Sequence, residues 1–120
     1  MQSVQVVLLQ SDPQTAQALM APLAATVSVV TVTQSVADLR SLAKNGAEVL
    51  VLDLEAATLG DVEKMRQEFP ELVIVCTHRL ADEALWAEAL NAGASDCCAS
   101  QDTGGILQAV LRRAARAQAA

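Results

Sequence analysis

At 120 residues the chain has the length of one ordinary domain. Its 52% apolar residues can fill one core and are too many for a disordered segment. No run of about 18 apolar residues occurs, which excludes a helical membrane span, and the opening Met1-Gln2-Ser3-Val4 lacks the basic stretch of a secretory signal. A net charge of −6 disfavours nucleic acid as a partner. Three cysteines, two of them adjacent at Cys97 and Cys98, fit reduced thiols better than a disulfide framework, so a cytoplasmic single domain over residues 1–120 is expected.

Short apolar runs alternate with segments of helical period. Val4 to Leu9 is rich in β-branched residues and lacks polar alternation, the pattern of a strand buried on both faces. Asp12-Pro13 then offers a capping side chain before a proline at the first helical position, and Ala16, Leu19, Met20 and Leu23 share one face. Pro22 removes a backbone donor late in this helix and predicts a kink or an end there.

Val27 to Val32 reads as the second strand. Ser35 and Asp38 resemble a capping box that opens a second helix, and Asn45-Gly46 closes it. Val49 to Leu52 is the third strand, followed by a helix from near Gly60 to before Phe69-Pro70. Leu72 to Cys76 is the fourth strand, with a helix from about Asp82 to Gly93. A weaker fifth strand spans Asp96 to Ala99, and Thr103 is the expected cap of a last helix running into the alanine-rich tail. Arg112, Arg113 and Arg116 form the one basic cluster. At helical spacing near a C-terminus they fit a solvated face that suits the helix dipole.

Five β-α units in series predict right-handed crossovers and a doubly wound parallel sheet with helices on both faces. In such sheets ligands meet the protein beyond the carboxyl ends of the strands. The residues placed there are Gln10, Ser11 and Asp12, then Asp53 to Glu55, Thr77 and His78, and Ser100 and Gln101. Asp53 either carries the chemistry of that crevice or caps the following turn. The Thr77 hydroxyl is expected to reach an anion at Asp53.

Three stretches carry a family resemblance. Val49-Leu50-Val51-Leu52-Asp53-Leu54 looks like the phosphoacceptor strand of bacterial response regulator receiver domains. Phe69-Pro70-Glu71-Leu72-Val73-Ile74-Val75-Cys76-Thr77 looks like their fourth strand with its hydroxyl residue. Ala89-Leu90-Asn91-Ala92-Gly93-Ala94-Ser95-Asp96 looks like the ALxAGAxD stretch before their fifth strand. The resemblance extends from Val4 to about Arg113. It implies a flavodoxin-like α/β fold with five helices and strand order 2-1-3-4-5, with Asp53 as the phosphoacceptor equivalent and Thr77 and Cys97 as the switch equivalents. It also implies a partner face on the fourth helix, fifth strand and fifth helix, which carry Leu85, Trp86, Ala89, Leu107 and Leu111.

The departures from the family pattern fall at the chemistry. The two acidic Mg²⁺ ligands after the first strand are Gln10 and Ser11, Asp12 lies one position beyond them, and the lysine after the fifth strand is Ser100. The aromatic switch residue is Cys97, the chain has no tyrosine, and Ala56-Ala57 replaces the usual MP pair. Phosphorylating a carboxylate requires a divalent cation and a fixed positive charge against the incoming phosphoryl oxygens. With one aligned carboxylate and no aligned lysine, neither Mg²⁺ nor any other cofactor is expected, and no catalytic residue is assigned.

The expected function is therefore a degenerate receiver, or pseudo-receiver, that regulates by contact with a protein partner or a second copy of itself. Two alternatives stand beside it. One is a working phosphoacceptor using Asp53, with His78 as a substitute charge, since histidine titrates near neutrality. The other is a sensor of a small polar ligand in the uncharged mouth formed by Gln10, Ser11, Thr77 and Ser100. Metal binding by Cys76 and His78, and a redox role for Cys97-Cys98 against Cys76, are both disfavoured, because no spaced ligand pairs and no thiol-activating base accompany them. Trp86, the one tryptophan, serves either packing or partner binding.

Overall fold

The computed structural model describes residues 2–25 and 27–119. Ten elements alternate along the chain. They are β1 (Gln2–Leu9), α1 (Pro13–Ala24), β2 (Val27–Thr33), α2 (Val36–Lys44) and β3 (Val49–Asp53), then α3 (Leu59–Glu68), β4 (Val73–His78), α4 (Glu83–Ala92), β5 (Asp96–Ala99) and α5 (Thr103–Ala119). The five strands form one parallel sheet in the order β2-β1-β3-β4-β5.

Side chains alternate across each strand and so build a core on each face of the sheet. Val7, Leu9, Leu50, Leu52, Ile74 and Cys76 face one side and are covered by Leu39 and Ala43 of α2, Val62 and Met65 of α3, and Ala89 and Ala92 of α4. Val4, Val6, Leu8, Val49, Val51, Val73 and Val75 face the other side, under Leu19 and Leu23 of α1 and Ile106, Ala109 and Val110 of α5. Burial on both faces explains the unbroken apolar runs of β3 and β4.

Helix starts follow their caps. Asp12, Ser35 and Asp82 each accept from a backbone N–H of the first turn, and Thr58 and Asp61 form a reciprocal capping box that starts α3 at Leu59, one residue before the expected start near Gly60. Of the kink or end expected at Pro22, the end falls two residues later, with α1 continuing to Ala24. Pro22 has no N–H to offer the Ala18 carbonyl, which belongs to an exposed residue. The expected cap of α5 is corrected: Thr103 is the first residue of that helix rather than its cap. Asp102 caps it, its Oδ1 accepting from Gly105 N at 3.0 Å and its carbonyl from Ile106 N at 3.0 Å. Of the basic cluster, Arg112 is exposed, and the side chains of Arg113 and Arg116 lie outside the described residues.

Gly93 closes α4 at φ +118, the left-handed conformation that favours glycine. The Arg66 side chain lies over it, donating from Nε to the Gly93 carbonyl at 2.8 Å and from Nη1 to the Pro70 carbonyl at 2.7 Å. A Cβ at position 93 would stand 2.7 Å from Arg66 Cγ. Gly93→Ala is therefore expected to cost about 2 kcal/mol, from left-handed strain and displacement of Arg66. Urea unfolding should show a lower midpoint at unchanged slope.

Candidate functional site

The chain leaves β1 toward one edge of the sheet and leaves β3 toward the other, so a crevice opens beyond the carboxyl ends of these two adjacent strands. Asp53, the last residue of β3, lies in it with 3% of its surface exposed. Its Oδ2 accepts from Ser11 N at 2.9 Å and from Ser11 Oγ at 2.6 Å, and its Oδ1 accepts from Glu55 N at 2.9 Å. The short hydroxyl contact is of the charge-assisted kind. Both carboxylate oxygens are thus held by the protein's own donors. Asp12 is spent on its helix, with Oδ1 accepting from Gln14 N at 3.0 Å and Oδ2 from Thr15 Oγ1 at 3.2 Å.

Thr77 is wholly buried, one strand over from Asp53. Its hydroxyl donates to Gln10 Oε1 at 3.3 Å. Gln10 and Ser100 are each 8% exposed and complete the inner wall. Gln10, Ser11, Asp12, Asp53 and Ser100 line one cavity of about 440 Å³, and Thr77 stands behind it.

The positive charge in this crevice comes from a residue that the sequence reading missed. Arg79, just after β4, reaches Glu55: Nε lies 2.8 Å and the backbone N 3.2 Å from Glu55 Oε1. The Arg79 hydrogen bond is the main reason the Glu55 carboxyl sits below the usual carboxylate range, and the same bond raises the guanidinium. Two residues past each of two strand-end residues, Asp53 and Thr77, stands one member of an opposite-charge pair. That was the available signal. His78 Nδ1 accepts from Leu80 N at 2.9 Å in a local turn.

Cys76 and Cys97 are buried and Cys98 is half-buried. Burial pushes the Cys76 thiol up to about 12 and the Cys98 thiol to about 11, and it raises Cys97 as well, so none is a ready thiolate. Cys97, the switch equivalent, packs into the core under α2, α3 and α4.

On the expected partner face Trp86 is 48% exposed, Leu85 is half-buried, and Leu107 and Leu111 are half-buried against the α1–α5 core. Ala89 is corrected: it is fully buried beneath α4 and presents nothing to a partner.

No protein-family model matches the chain, and no curated protein matches it by sequence. Solved structures do. A LuxR-family two-component response regulator from Aurantimonas superimposes with a TM-score of 0.82 at 18% identity, covering 94% of this chain and 86% of that one. A response regulator from Thermotoga maritima gives 0.80 at 17%, covering 94% and 98%. HP1043, an orphan response regulator of H. pylori, gives 0.82 at 16%, covering 93% and 97%. The fold is the flavodoxin-like α/β fold of receiver domains. At these identities the likeness speaks for the fold, and the residues of the crevice must speak for the chemistry.

The crevice does not fit Mg²⁺. That ion demands near-octahedral hard oxygen ligands and is ordinarily held by one or two carboxylates with waters. Asp53 has both oxygens engaged, Asp12 caps α1, and Glu55 is paired with Arg79. Among the described residues no group of three His, Cys, Asp or Glu side chains is placed to hold a metal. Among the described residues, too, no helix is long and apolar enough to cross a membrane.

Proposed function

We propose that this chain is a degenerate receiver module of bacterial signalling that acts in the cytoplasm through contact with a protein partner or a second copy, without Mg²⁺-dependent phosphorylation. The observation that carries this reading is the state of Asp53. A phosphoacceptor needs a free carboxylate oxygen beside a divalent cation, with a positive charge on the far side of the phosphoryl group. Here three protein donors take both oxygens of Asp53. The cation in the crevice, Arg79, is engaged by Glu55.

The contact surface in this reading centres on Trp86, with Leu85 beside it on α4 and Leu107 and Leu111 on α5. A large aromatic side chain half in solvent is the kind of residue that anchors an interface. With a net charge of −6, a protein suits this chain better than nucleic acid.

Two measurements test the reading. Calorimetry should show no Mg²⁺ binding with a dissociation constant near or below about 1 mM, the weak end of ordinary exposed divalent sites. Acetyl phosphate with Mg²⁺ should leave the intact mass unchanged. A phosphoryl adduct on the natural protein that is lost in Asp53→Asn would replace this reading with that of a working phosphoacceptor.

A further inference from the structure

We propose that the crevice beyond β1, β3 and β5 is a binding site for a small neutral molecule bearing an amide or hydroxyl group. Two atoms point to it. Gln10 Nε2 and Ser100 Oγ are buried and have no hydrogen-bond partner among the described residues. Buried polar side chains are nearly always paired, and an unmade bond costs more than a made one returns. Two such atoms on residues that line one cavity of about 440 Å³ form a matched set of unmet demands, beside an opening of the size that small ligands occupy.

The orphan at Gln10 does not depend on which way its amide is turned. Thr77 Oγ1 engages the amide from one side, at 3.3 Å from Oε1. Turned over, the amide would present its nitrogen to Thr77 and leave the oxygen without a partner. In either orientation one polar atom of the amide remains for a ligand. Ser100 asks for a donor or an acceptor, since its hydroxyl is both. The ligand that answers the pair carries a carbonyl or hydroxyl oxygen, with an N–H or O–H close by. Primary amides and polyols have this pattern. Both orphan atoms lie just behind the wall, so binding includes a small turn of the Ser100 hydroxyl and the Gln10 amide toward the opening.

Charge decides between neutral and ionic ligands. Asp12, Asp53 and Glu55 line the cavity against one arginine, so an anion meets net repulsion. A cation must compete with protein donors at all three carboxylates. A second hollow of about 540 Å³ shares Asp12, Thr15, Arg79 and Ser100 with the first and has the exposed Leu80 on its lining. A ligand longer than a bare amide therefore has an apolar side chain to lie against on its way out.

The test is nuclear magnetic resonance titration of the ¹⁵N-labelled full chain with acetamide and glycerol as neutral probes, acetate and phosphate as anions, and methylammonium as a cation. At least one neutral probe should give saturable shifts of the Gln10 side-chain amide and of the Ser11 and Ser100 backbone amides. Ser100→Ala and Gln10→Met should each weaken it by about tenfold, the worth of one well-made hydrogen bond. Ser100→Ala removes an unpartnered hydroxyl and so keeps the fold, and it decides the matter alone if Gln10→Met disturbs β1. The proposal is overturned by an absence of saturable shifts with either neutral probe, by shifts that Ser100→Ala leaves unchanged, or by tighter binding of an ionic probe.

Discussion

Placing Asp at positions 10 and 11 and Lys at position 100 together (Gln10→Asp, Ser11→Asp, Ser100→Lys) should lower stability in metal-free buffer by about 3 kcal/mol, and Mg²⁺ should return part of that loss. Unit charges about 4 Å apart repel by roughly 4 kcal/mol at the effective dielectric of a protein surface. Two new carboxylates would stand beside Asp53, with one lysine to offset them. The change also removes the Ser11 hydroxyl that donates to Asp53 at 2.6 Å and the Gln10 oxygen that accepts from Thr77. For a domain of this size the midpoint of thermal unfolding should fall on the order of 10 °C. Melting curves of the triple variant and the parent, with and without Mg²⁺, measure both effects. A variant as stable as its parent and indifferent to Mg²⁺ would mean that the crevice is not related to a metal-dependent receiver site, and the proposed function would lose its footing.

The second large effect has a sign that separates two kinds of crevice. Where carboxylates crowd together, neutralising one relieves repulsion and stabilises the fold. Here the Asp53 carboxylate is the acceptor for Ser11 N, Ser11 Oγ and Glu55 N. In Asp53→Asn one oxygen survives for Glu55, while the new amide turns N–H groups toward the two donors of Ser11. Hydrogen bonds to a charged acceptor contribute about 1.5–3 kcal/mol each, and Ser11 is exposed enough for water to compensate in part. A net loss of about 2 kcal/mol is expected, read as a lower urea midpoint at unchanged slope. An Asp53→Asn variant at least as stable as the parent would show that the network around Asp53 is not what holds this end of the sheet.

Amino-acid order alone determined the fold and most of the ends of its elements. A β-branched run buried on both faces has few other uses, and Asp12-Pro13, Ser35, Asp82 and Gly93 mark helix termini by local chemistry that needs no distant partner. It also placed Gln10, Ser11, Asp53 and Ser100 in one crevice, because strand ends converge wherever a parallel sheet is doubly wound. Cap selection at close quarters was less legible. Thr103 and Asp102 are both good caps, and backbone geometry chose the aspartate. Only the tertiary structure decided the partners inside the crevice. Thr77 binds Gln10, Arg79 pairs with Glu55, and Ala89 turns into the core. Gln10 and Thr77 are 67 positions apart and Glu55 and Arg79 are 24 apart. Which donor reaches which acceptor across such separations depends on strand register and side-chain rotamers to within about an ångström, the range over which a hydrogen bond is made or lost.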